Sequence, residues 1–535
     1  MTQTGNFLRH QLQYNADSTV LFECVRHEPW AQLLDSGQPN SVYGRYDIIV
    51  ASPFMHLSSM QSSDAITTEV TRITYDSRSR AEIKRETSRD STEPFTLLNK
   101  ILAPYQQTYA AQVLATTVDE HEMQPTPLRK AKLASLNKEN LPFAGGALGY
   151  FGYDLGRVLE RVSHQAAENP DLPAMMIGLY DWAVVVDHRK KTACLVSYGL
   201  QNSTHEQWAK LCALFSAAAD GLRNNKSAKK SACKFALTST VKSNMTYAQY
   251  EVAFKQVQQY IQNGDCYQVN LAQRFSATAR GDSWLAYQKL REISPAPFMA
   301  YMQFGAIQVL SGSPERFLQL TDSHVETRPI KGTRPRSFDP MLDAQLAEEL
   351  QTSLKDRAEN VMIVDLLRND LGKNCTTGSV KADQLFQLQH FANVHHLVSI
   401  VTGTLAKDKT ALDLLRGAFP GGSITGAPKL RSMQIIESLE PHQRGVYCGA
   451  IGYIGFDGNM DTNIAIRTAV FVQSSANALG NESDLAHGEI SFYAGGGLVA
   501  DSTLEKEYAE TLDKASSMLK TMQYFQGSDT EFYEK

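Results

Sequence analysis

The sequence lacks the features that would assign it to several large classes of protein. Its seven cysteines are scattered through 535 residues without a CxxC pair, which argues against a zinc site and against a disulfide framework. No apolar run approaches the roughly 20 residues of a membrane-spanning helix. Residues 1–6 contain no basic region followed by an apolar stretch, so no signal peptide is expected. The expected location is the reducing cytoplasm.

The sequence also has no large excess of positive or of negative charge. The formal net charge is -5 and charged residues make up 20% of the chain, which gives no electrostatic reason to expect a nucleic-acid or membrane partner. No GxxxxGK[ST] phosphate loop, dinucleotide fingerprint or Ser-His-Asp pattern stands out. The length exceeds what one hydrophobic core usually supports, so we expect two domains or one large composite domain.

The chain divides into two unequal parts. Residues 1–220 form an N-terminal region, 221–245 a polar linker, 246–522 a region dense in glycine motifs and paired acidic residues, and 523–535 a C-terminal tail. Many predicted hairpins with interspersed helices indicate an α+β fold, in which large antiparallel sheets form a sandwich flanked by helices.

Several elements can be placed from local signals. Thr246 and Gln249 form a capping-box pattern ahead of apolar residues at helical spacing, and Asn263 ends the predicted helix. Residues 76–90 are predicted to form a loop or an edge hairpin. Residues 474–487 are predicted to form a long hairpin connection. Strand pairs are predicted for 298–304 with 307–310 and for 451–456 with 464–472.

Lys331 lies in a stretch with two prolines, a glycine and three arginines, residues 327–336. Like charge and desolvation both favour the neutral form of a lysine, and a neutral amine is a nucleophile. The alternative is a cationic surface turn that only attracts an anion.

Four glutamates are candidates for chemistry. Glu315 follows a predicted strand and can act as a general acid if its pKa is raised; the alternative is a surface pair with Arg316. Glu359 lies early in a predicted buried helix, and Glu507 and Glu510 share one helix face. Converging carboxylates suit a magnesium ion, whereas the alternative is a solvated acidic stripe.

Two glycine-rich segments, 420–429 and 494–502, could present backbone N–H groups to an anion, or could be plain tight turns. Arg467 stands in an apolar predicted strand, and a buried arginine needs an anionic partner, for which a substrate carboxylate is suitable. His395 and His396 are adjacent, which is typical of one structural and one functional residue; metal binding is the alternative.

Together these segments resemble the chorismate-utilising enzyme family, which includes anthranilate synthase component I and aminodeoxychorismate synthase component I. The resemblance covers nearly the whole chain, and its motifs occur in the order SGSPERF, PIKGTRPR, KDRAENVMIVDLLRND, HHLVS, PGGSITGAPK, GAIGYIGF, IAIRT, AGGG and EYAET.

The resemblance implies a role for each matching residue. Lys331 would be the nucleophile and Glu315 the general acid. Mg²⁺, held by Glu359, Glu507 and Glu510, would bind the ring carboxylate of chorismate. The remaining substrate contacts would come from Arg467 and Tyr453 at the enolpyruvyl carboxylate, and from Gly332, His396, Thr425, Gly426, Gly495, Gly496, Gly497 and Lys514.

Two positions separate the branches of the family. Anthranilate synthases carry alanine in place of Lys331, and isochorismate and salicylate synthases carry a water-activating lysine in place of Gln268. The resemblance therefore implies an aminodeoxychorismate synthase component I, a magnesium-dependent transferase that makes 4-amino-4-deoxychorismate, a precursor of p-aminobenzoate and folate. The alternatives are anthranilate synthase component I and a non-catalytic tryptophan-binding regulatory subunit.

The resemblance also implies two partners. The chain has no nucleophilic cysteine in a GxCxG turn, so ammonia would come from a separate glutamine amidotransferase subunit. Tryptophan would bind in an N-terminal pocket next to a Leu-Leu-Asp-Ser motif, lined by Ser36, Tyr43, Gly44, Arg45, Tyr46, Pro297, Phe298 and Met299.

Overall fold

A computed structural model describes residues 7–41, 44–62, 65–76, 82–115, 141–163, 165–221, 234–390, 394–474 and 486–527. Its strands are β1 Leu8–Leu12, β2 Gln32–Asp35, β3 Tyr46–Val50, β4 Met55–Gln61, β5 Ile66–Tyr75, β6 Glu82–Asp90, β7 Gly146–Phe151, β8 Met175–Tyr180, β9 Ala183–Asp187, β10 Thr192–Ser197, β11 Phe235–Leu237, β12 Lys242–Ser243, β13 Gln268–Gly281, β14 Phe298–Phe304, β15 Ile307–Ser313, β16 Arg316–Thr321, β17 His324–Thr327, β18 Ile330–Pro335, β19 Lys381–His390, β20 Val394–Thr404, β21 Gly426–Ala427, β22 Ala450–Gly455, β23 Met460–Ile464, β24 Thr468–Gln473 and β25 His487–Leu498.

The helices complete the inventory. They are α1 Thr19–Phe22, α2 Pro94–Ala115, α3 Leu155–Glu160, α4 Asn202–Ala219, α5 Tyr247–Gln262, α6 Ser283–Ile293, α7 Pro340–Thr352, α8 Leu354–Gly372, α9 Ala411–Ala418, α10 Lys429–Leu439 and α11 Leu504–Tyr524, with a short 3₁₀ turn at Gly422–Ile424.

The strands form two large antiparallel sheets. The first follows the order β1-β10-β9-β3-β2-β14-β15-β24-β25-β13-β11, and the second follows β18-β20-β17-β16-β23-β22-β7-β8-β4-β5-β6. One hydrophobic cluster contains Val185 and Met302 of the first sheet together with Ile177 and Ile454 of the second. The sheets thus pack face to face with helices around them, which confirms the predicted α+β sandwich.

Both sheets contain strands from both predicted parts of the chain. In the first sheet β2 pairs with β14, and in the second β7 pairs with β22. The boundary near residue 220 therefore falls between segments that share sheets, and the existence of separate domains stays a prediction. Residues 222–233 of the predicted linker and 528–535 of the predicted tail lie outside the described residues.

Local signals placed several elements correctly. The capping box at Thr246 is present, and α5 ends at Gln262 as its Asn-Gly signal predicts. The hairpin of β14 and β15 is present, and residues 82–90 form an edge strand. The described part of the segment 474–487 continues into the antiparallel pair of β24 and β25.

Three predictions are wrong in detail. The partner of β22 is Met460–Ile464 rather than 464–472, because the chain breaks between β23 and β24. Helix α8 is buried on one face only, with Val361 44% exposed. The triple glycine at 495–497 lies within β25 and not in a turn.

Two further findings bear on the sequence analysis. Among the described residues, Cys212, Cys266, Cys375 and Cys448 are free thiols. Within the part of the chain that the structure describes, no helix combines the length and apolar composition needed to cross a membrane.

Candidate active site

Lys331 lies on a β-bulge. Ile330 of β18 pairs with Val398 of β20, but the next pair joins Thr333 to His396, so β18 contains one extra residue. Gly332 adopts φ +84°, and a Cβ added there would lie 2.7 Å from Leu350 Cδ1. Bulges next to active sites re-aim a side chain, and this one sets the direction of Lys331.

The neighbouring arginines do not supply the like charge that the sequence suggested. Each is neutralised by carboxylates: Arg328 by Glu326 at 2.7 Å, Arg334 by Glu349 at 2.8 Å and Asp356 at 3.2 Å, and Arg336 by Asp343 at 2.9 Å. Burial lowers the pKa of Lys331, and the ammonium of Lys514 lowers it further. The carboxylates of Glu359, Glu315 and Glu510 oppose that shift, so four charged side chains act on Lys331.

Glu315 is the most deeply buried carboxylate beside Lys331, with 7% of its surface exposed. Burial raises its pKa to about 7, against the opposing effects of Lys331, the Ser423 hydroxyl and the Ile330 N–H. Ser423 Oγ donates to Glu315 Oε1 at 3.1 Å. A carboxyl group that is partly protonated near neutral pH is suited to general acid catalysis.

The three predicted metal ligands come from two helices, α8 for Glu359 and α11 for Glu507 and Glu510. Ser502 Oγ donates to Glu507 Oε1 at 2.6 Å, while Glu507 Oε2 is buried without a hydrogen-bond partner. A Cβ at Gly496 would lie 3.1 Å from that oxygen and 3.5 Å from Glu510 Oε1. Both carboxylates therefore extend over the backbone of Gly496.

The same carboxylates have lysine counter-ions. Glu510 Oε1 lies 2.7 Å from Lys514 Nζ, and Glu359 Oε1 lies 3.8 Å from Lys355 Nζ. Across the described residues, no three His, Cys, Asp or Glu side chains are arranged closely enough to hold a metal ion. The all-oxygen donor set and the unpaired Glu507 Oε2 nevertheless fit a hard divalent cation such as Mg²⁺, which takes few protein ligands and completes its shell with water and substrate.

Arg467 lies in the break between β23 and β24, with φ 50°, rather than inside a strand. Burial lowers its pKa, and Glu315 is the anion that opposes this effect. His396 is 3% exposed. Burial and the nearby Arg467 lower the pKa of His396 to about 3, so its imidazole is neutral at physiological pH. Thr333 Oγ1 lies 2.9 Å from His396 Nδ1.

The triple glycine forms another wall of the site. Gly495, Gly496 and Gly497 pair with β13 on one edge. On the other edge, β24 pairs with β25 only as far as Phe492. Lys514 Nζ donates to the Gly495 carbonyl at 3.1 Å, so this second edge faces the cluster of charged side chains.

Thr425, Gly426 and Gln268 lie where β21 meets β13. Gly426 has φ +136° and pairs with Val269, and Thr425 Oγ1 donates to the Gly421 carbonyl at 2.8 Å. The Gln268 side chain is fully buried, yet neither amide atom has a hydrogen-bond partner. Its Nε2 would lie 3.1 Å from a Cβ at Gly497.

Sequence reasoning treated Gln268 only as a marker of the branch and overlooked both Ser423 and Lys355. The signal for Ser423 was its place in the glycine-rich segment 420–429. Lys355 precedes Glu359 by one helical turn, which is the spacing of an i, i+4 ion pair.

Tyr453 is the residue that the resemblance places with Arg467 at the enolpyruvyl carboxylate. It lines a cavity of about 470 Å³ together with Arg45, Tyr46 and Phe298. The charged groups that act on it include Asp461, Asp457 and Arg316. The structure thus places Tyr453 at the predicted tryptophan pocket.

Most residues of that pocket lie together. A smaller adjoining cavity of about 120 Å³ is lined by Gly44, Arg45, Tyr46, Pro297, Phe298 and Met299, among others. Ser36 Oγ donates to the buried Asp47 at 2.6 Å beside Gly44. Tyr43 lies outside the described residues.

A family model described as chorismate binding enzyme matches residues 87–520. The chain belongs to this family. The match begins in the N-terminal part and ends in α11, so it spans both sheets and every candidate residue around Lys331.

Similar proteins include aminodeoxychorismate synthases and anthranilate synthases. The chain is 43% identical over 502 residues to "Aminodeoxychorismate synthase component 1" of Escherichia coli K12, covering 94% of this chain and 95% of that protein. It is 37% identical over 407 residues to "Anthranilate synthase component 1" of Aquifex aeolicus VF5, covering 75% and 79%. The crystal structure of anthranilate synthase component I from Streptococcus pneumoniae TIGR4 superimposes with a TM-score of 0.65 at 28% identity, covering 89% of this chain and 92% of that one.

Proposed function

We propose that this member of the family is component I of aminodeoxychorismate synthase and converts chorismate and ammonia into 4-amino-4-deoxychorismate and water, for p-aminobenzoate and folate synthesis. The observation that carries the proposal is the amine of Lys331, which a bulge directs toward a buried acid, Glu315. The similarity over nearly the whole length to relatives of that name supports it.

Substrate binding would use the charges around the site. Arg467 forms no ion pair with a carboxylate in the described part of the chain and suits the enolpyruvyl carboxylate. The free edge of the triple glycine and Lys514 suit the other carboxylate. Mg²⁺ held by Glu359, Glu507 and Glu510 would neutralise and fix the ring carboxylate.

In the first step the neutral amine of Lys331 attacks ring carbon 2. Both conjugated double bonds of the ring shift, the carbon-4 oxygen bond breaks, and Glu315 gives its proton to the hydroxyl, which leaves as water. Protonation is needed because hydroxide is a poor leaving group. The lysine nitrogen then loses a proton, and Glu315 is the nearby base that can accept it.

In the second step ammonia attacks carbon 4, both double bonds shift back, and the carbon-2 nitrogen bond to Lys331 breaks. The lysine nitrogen takes a proton as it leaves, and the new ammonium nitrogen on carbon 4 loses one. The buried amide of Gln268 supplies no base for water. Ammonia would come from a partner glutamine amidotransferase subunit.

The cavity of about 470 Å³ at Tyr453 would hold an amino acid with an aromatic side chain, such as tryptophan. Tyr46, Phe298 and Tyr453 offer aromatic faces, and Arg45 and Arg316 offer cations at its walls. Isothermal titration with tryptophan, followed by an activity assay of the loaded protein, would separate a structural ligand from an inhibitor.

Product analysis tests the function directly. Purified protein with chorismate, Mg²⁺ and ammonium should give an aminated chorismate that keeps its enolpyruvyl group, without pyruvate. Lys331→Ala should lose this activity and Lys331→Arg should not restore it, because a guanidinium is not a nucleophile at this pH. Anthranilate with pyruvate would instead identify an anthranilate synthase. Unchanged chorismate in the presence of an amidotransferase partner would favour the regulatory subunit.

A further inference from the structure

The glycine-rich segment 420–429 brings one hydroxyl group into contact with the buried acid Glu315. Ser423 Oγ donates to Glu315 Oε1 at 3.1 Å. We propose that Ser423 is a positioning residue that holds the carboxyl group of Glu315 in the orientation in which it meets the leaving hydroxyl. The inference rests on the proposed function, since it concerns the acid of that reaction.

Buried ion pairs hold this segment from both ends. Arg444, only 2% exposed, donates to the Ile424 carbonyl at 3.2 Å and is fixed by Glu440 at 2.7 and 2.9 Å. At the other end, Lys429 Nζ donates to Asp370 Oδ2 and to the Ala418 carbonyl, both at 2.7 Å. The hydroxyl of Ser423 is therefore presented from a fixed backbone, which is what precise placement of a reacting group requires.

The carboxyl group needs such a contact because its last torsion is soft. The final χ angle of glutamate is broad and has no deep rotamer wells. The other donor to the carboxyl group is the backbone N–H of Ile330. Without Ser423 that single bond would leave the plane of the carboxyl group free to turn.

The charged and titratable groups that face Glu315 come from several elements. They are Lys331 of β18, Lys514 of α11, Arg467 before β24, and Cys448 before β22. All but Cys448 are basic groups, which favour the ionised acid when they are protonated, and the Ser423 hydroxyl favours it as well. Removal of the hydroxyl should therefore raise the pKa of Glu315 as well as loosen it.

The test compares Ser423→Ala with Ser423→Thr in the full chain, at a constant concentration of free ammonia over a pH series. Loss of a hydrogen bond to an ionisable group predicts a roughly tenfold lower kcat for Ser423→Ala, with the KM for chorismate unchanged. The alkaline fall of its pH profile should move upward, because general acid catalysis needs the protonated form. Ser423→Thr keeps the hydroxyl and should restore both properties.

Other outcomes would overturn the inference. A kcat and a pH profile that do not change in Ser423→Ala would remove the positioning role while leaving the proposed function intact. Equal loss in both variants, or a change in KM alone, would indicate a packing role. If Ser423→Ala does not fold, a Ser423→Thr variant with less than half of the parent kcat contradicts the inference. If the parent makes no aminated product, the proposed function fails, and the inference fails with it.

Discussion

Gln268 is a buried residue that is expected to destabilise the fold and to serve the function of the site. Its amide is fully buried with no partner for either polar atom, close to Gly497. A buried amide without hydrogen bonds costs about 1–3 kcal/mol. A group kept at such a cost beside the triple glycine of the candidate site is expected to bind a ligand there.

Gln268→Met should therefore raise the unfolding free energy by about 1 kcal/mol and lower the amination rate. Gln273→Met on the same strand is a matched control. The amide of Gln273 donates to Thr511 at 2.7 Å and accepts from Ser243 at 2.6 Å, so its loss should destabilise the protein. Denaturant unfolding of the three proteins, with the activity assay alongside, checks both signs. Equal destabilisation by the two substitutions would refute the argument.

Glu315 makes the stability of the fold depend on pH. Burial raises the pKa of this residue from 4.5 to about 7, so the folded protein binds a proton that the unfolded chain has already lost between these values. Stability falls as the pH rises through that window, by about 3 kcal/mol in total.

Glu315→Gln removes that dependence. The difference in unfolding free energy between this variant and the parent should shift by about 3 kcal/mol in favour of the variant from pH 4 to pH 8. Glu505→Gln, at an exposed position of α11, is the control for the substitution itself. A constant difference for Glu315→Gln would mean that folding does not raise the pKa of this carboxyl group.

At the scale of secondary-structure elements, local sequence signals correctly predicted the features that depend on contacts between neighbouring residues. The capping box of α5 and the hairpin of β14 and β15 join neighbouring residues. The triple glycine was misplaced because its partner, β13, lies more than 200 residues earlier in the chain. Apolar spacing around Arg467 could not reveal a residue with φ 50°, which interrupts the strand.

The same limit applies to the candidate site. The order of the motifs predicted that Lys331 lies near Glu315 and Glu359, because the resemblance to the family implies that the three residues belong to one active site. It did not indicate that Tyr453 lines a cavity with residues 297–299, because those residues come from distant parts of the chain. The hydrogen bond from Ser423 to Glu315 joins residues that are 108 positions apart. Such a contact produces no periodic pattern in the sequence from which it could be predicted.

A buried ion pair fixes α8 to the glycine-rich segment. Asp370 is 1% exposed and contacts Lys429, whose side chain is 10% exposed, at 2.7 Å and Lys373, whose side chain is 48% exposed, at 3.0 Å. Removing one partner of a buried pair leaves an uncompensated charge and costs about 3–5 kcal/mol.

Asp370→Asn should accordingly destabilise the protein by that amount and reduce activity, because Lys429 then releases the segment that carries Ser423. The double variant Asp370→Asn, Lys429→Met should recover much of the stability, since no buried charge is left unpaired. Lys373→Met removes the exposed partner and should cost less than about 1 kcal/mol. Additive effects in the double variant would show that the two charges are not coupled.

At the scale of the whole molecule, the two sheets tie the N-terminal region to the candidate site. The cavity at Tyr453 is bounded by Gly44 and Arg45 on one side and by Phe298 and Arg316 on the other. Pro314 and Ile330, which line the larger cavity, immediately precede Glu315 and Lys331. A ligand in that cavity would therefore contact the backbone that positions the acid and the nucleophile.

The shared sheets also predict that the chain unfolds as one unit. Cutting the chain with an inserted protease site between residues 221 and 234 should leave the two fragments together in gel filtration, because β2 stays paired with β14 and β7 with β22. Separation would expose the paired edges of four strands, β2, β14, β7 and β22, and their apolar faces, so it should require denaturant, and heating should give a single transition. The uncut protein with the same insertion is the control. Fragments that part under native conditions, with activity in the C-terminal one, would instead establish two independent domains.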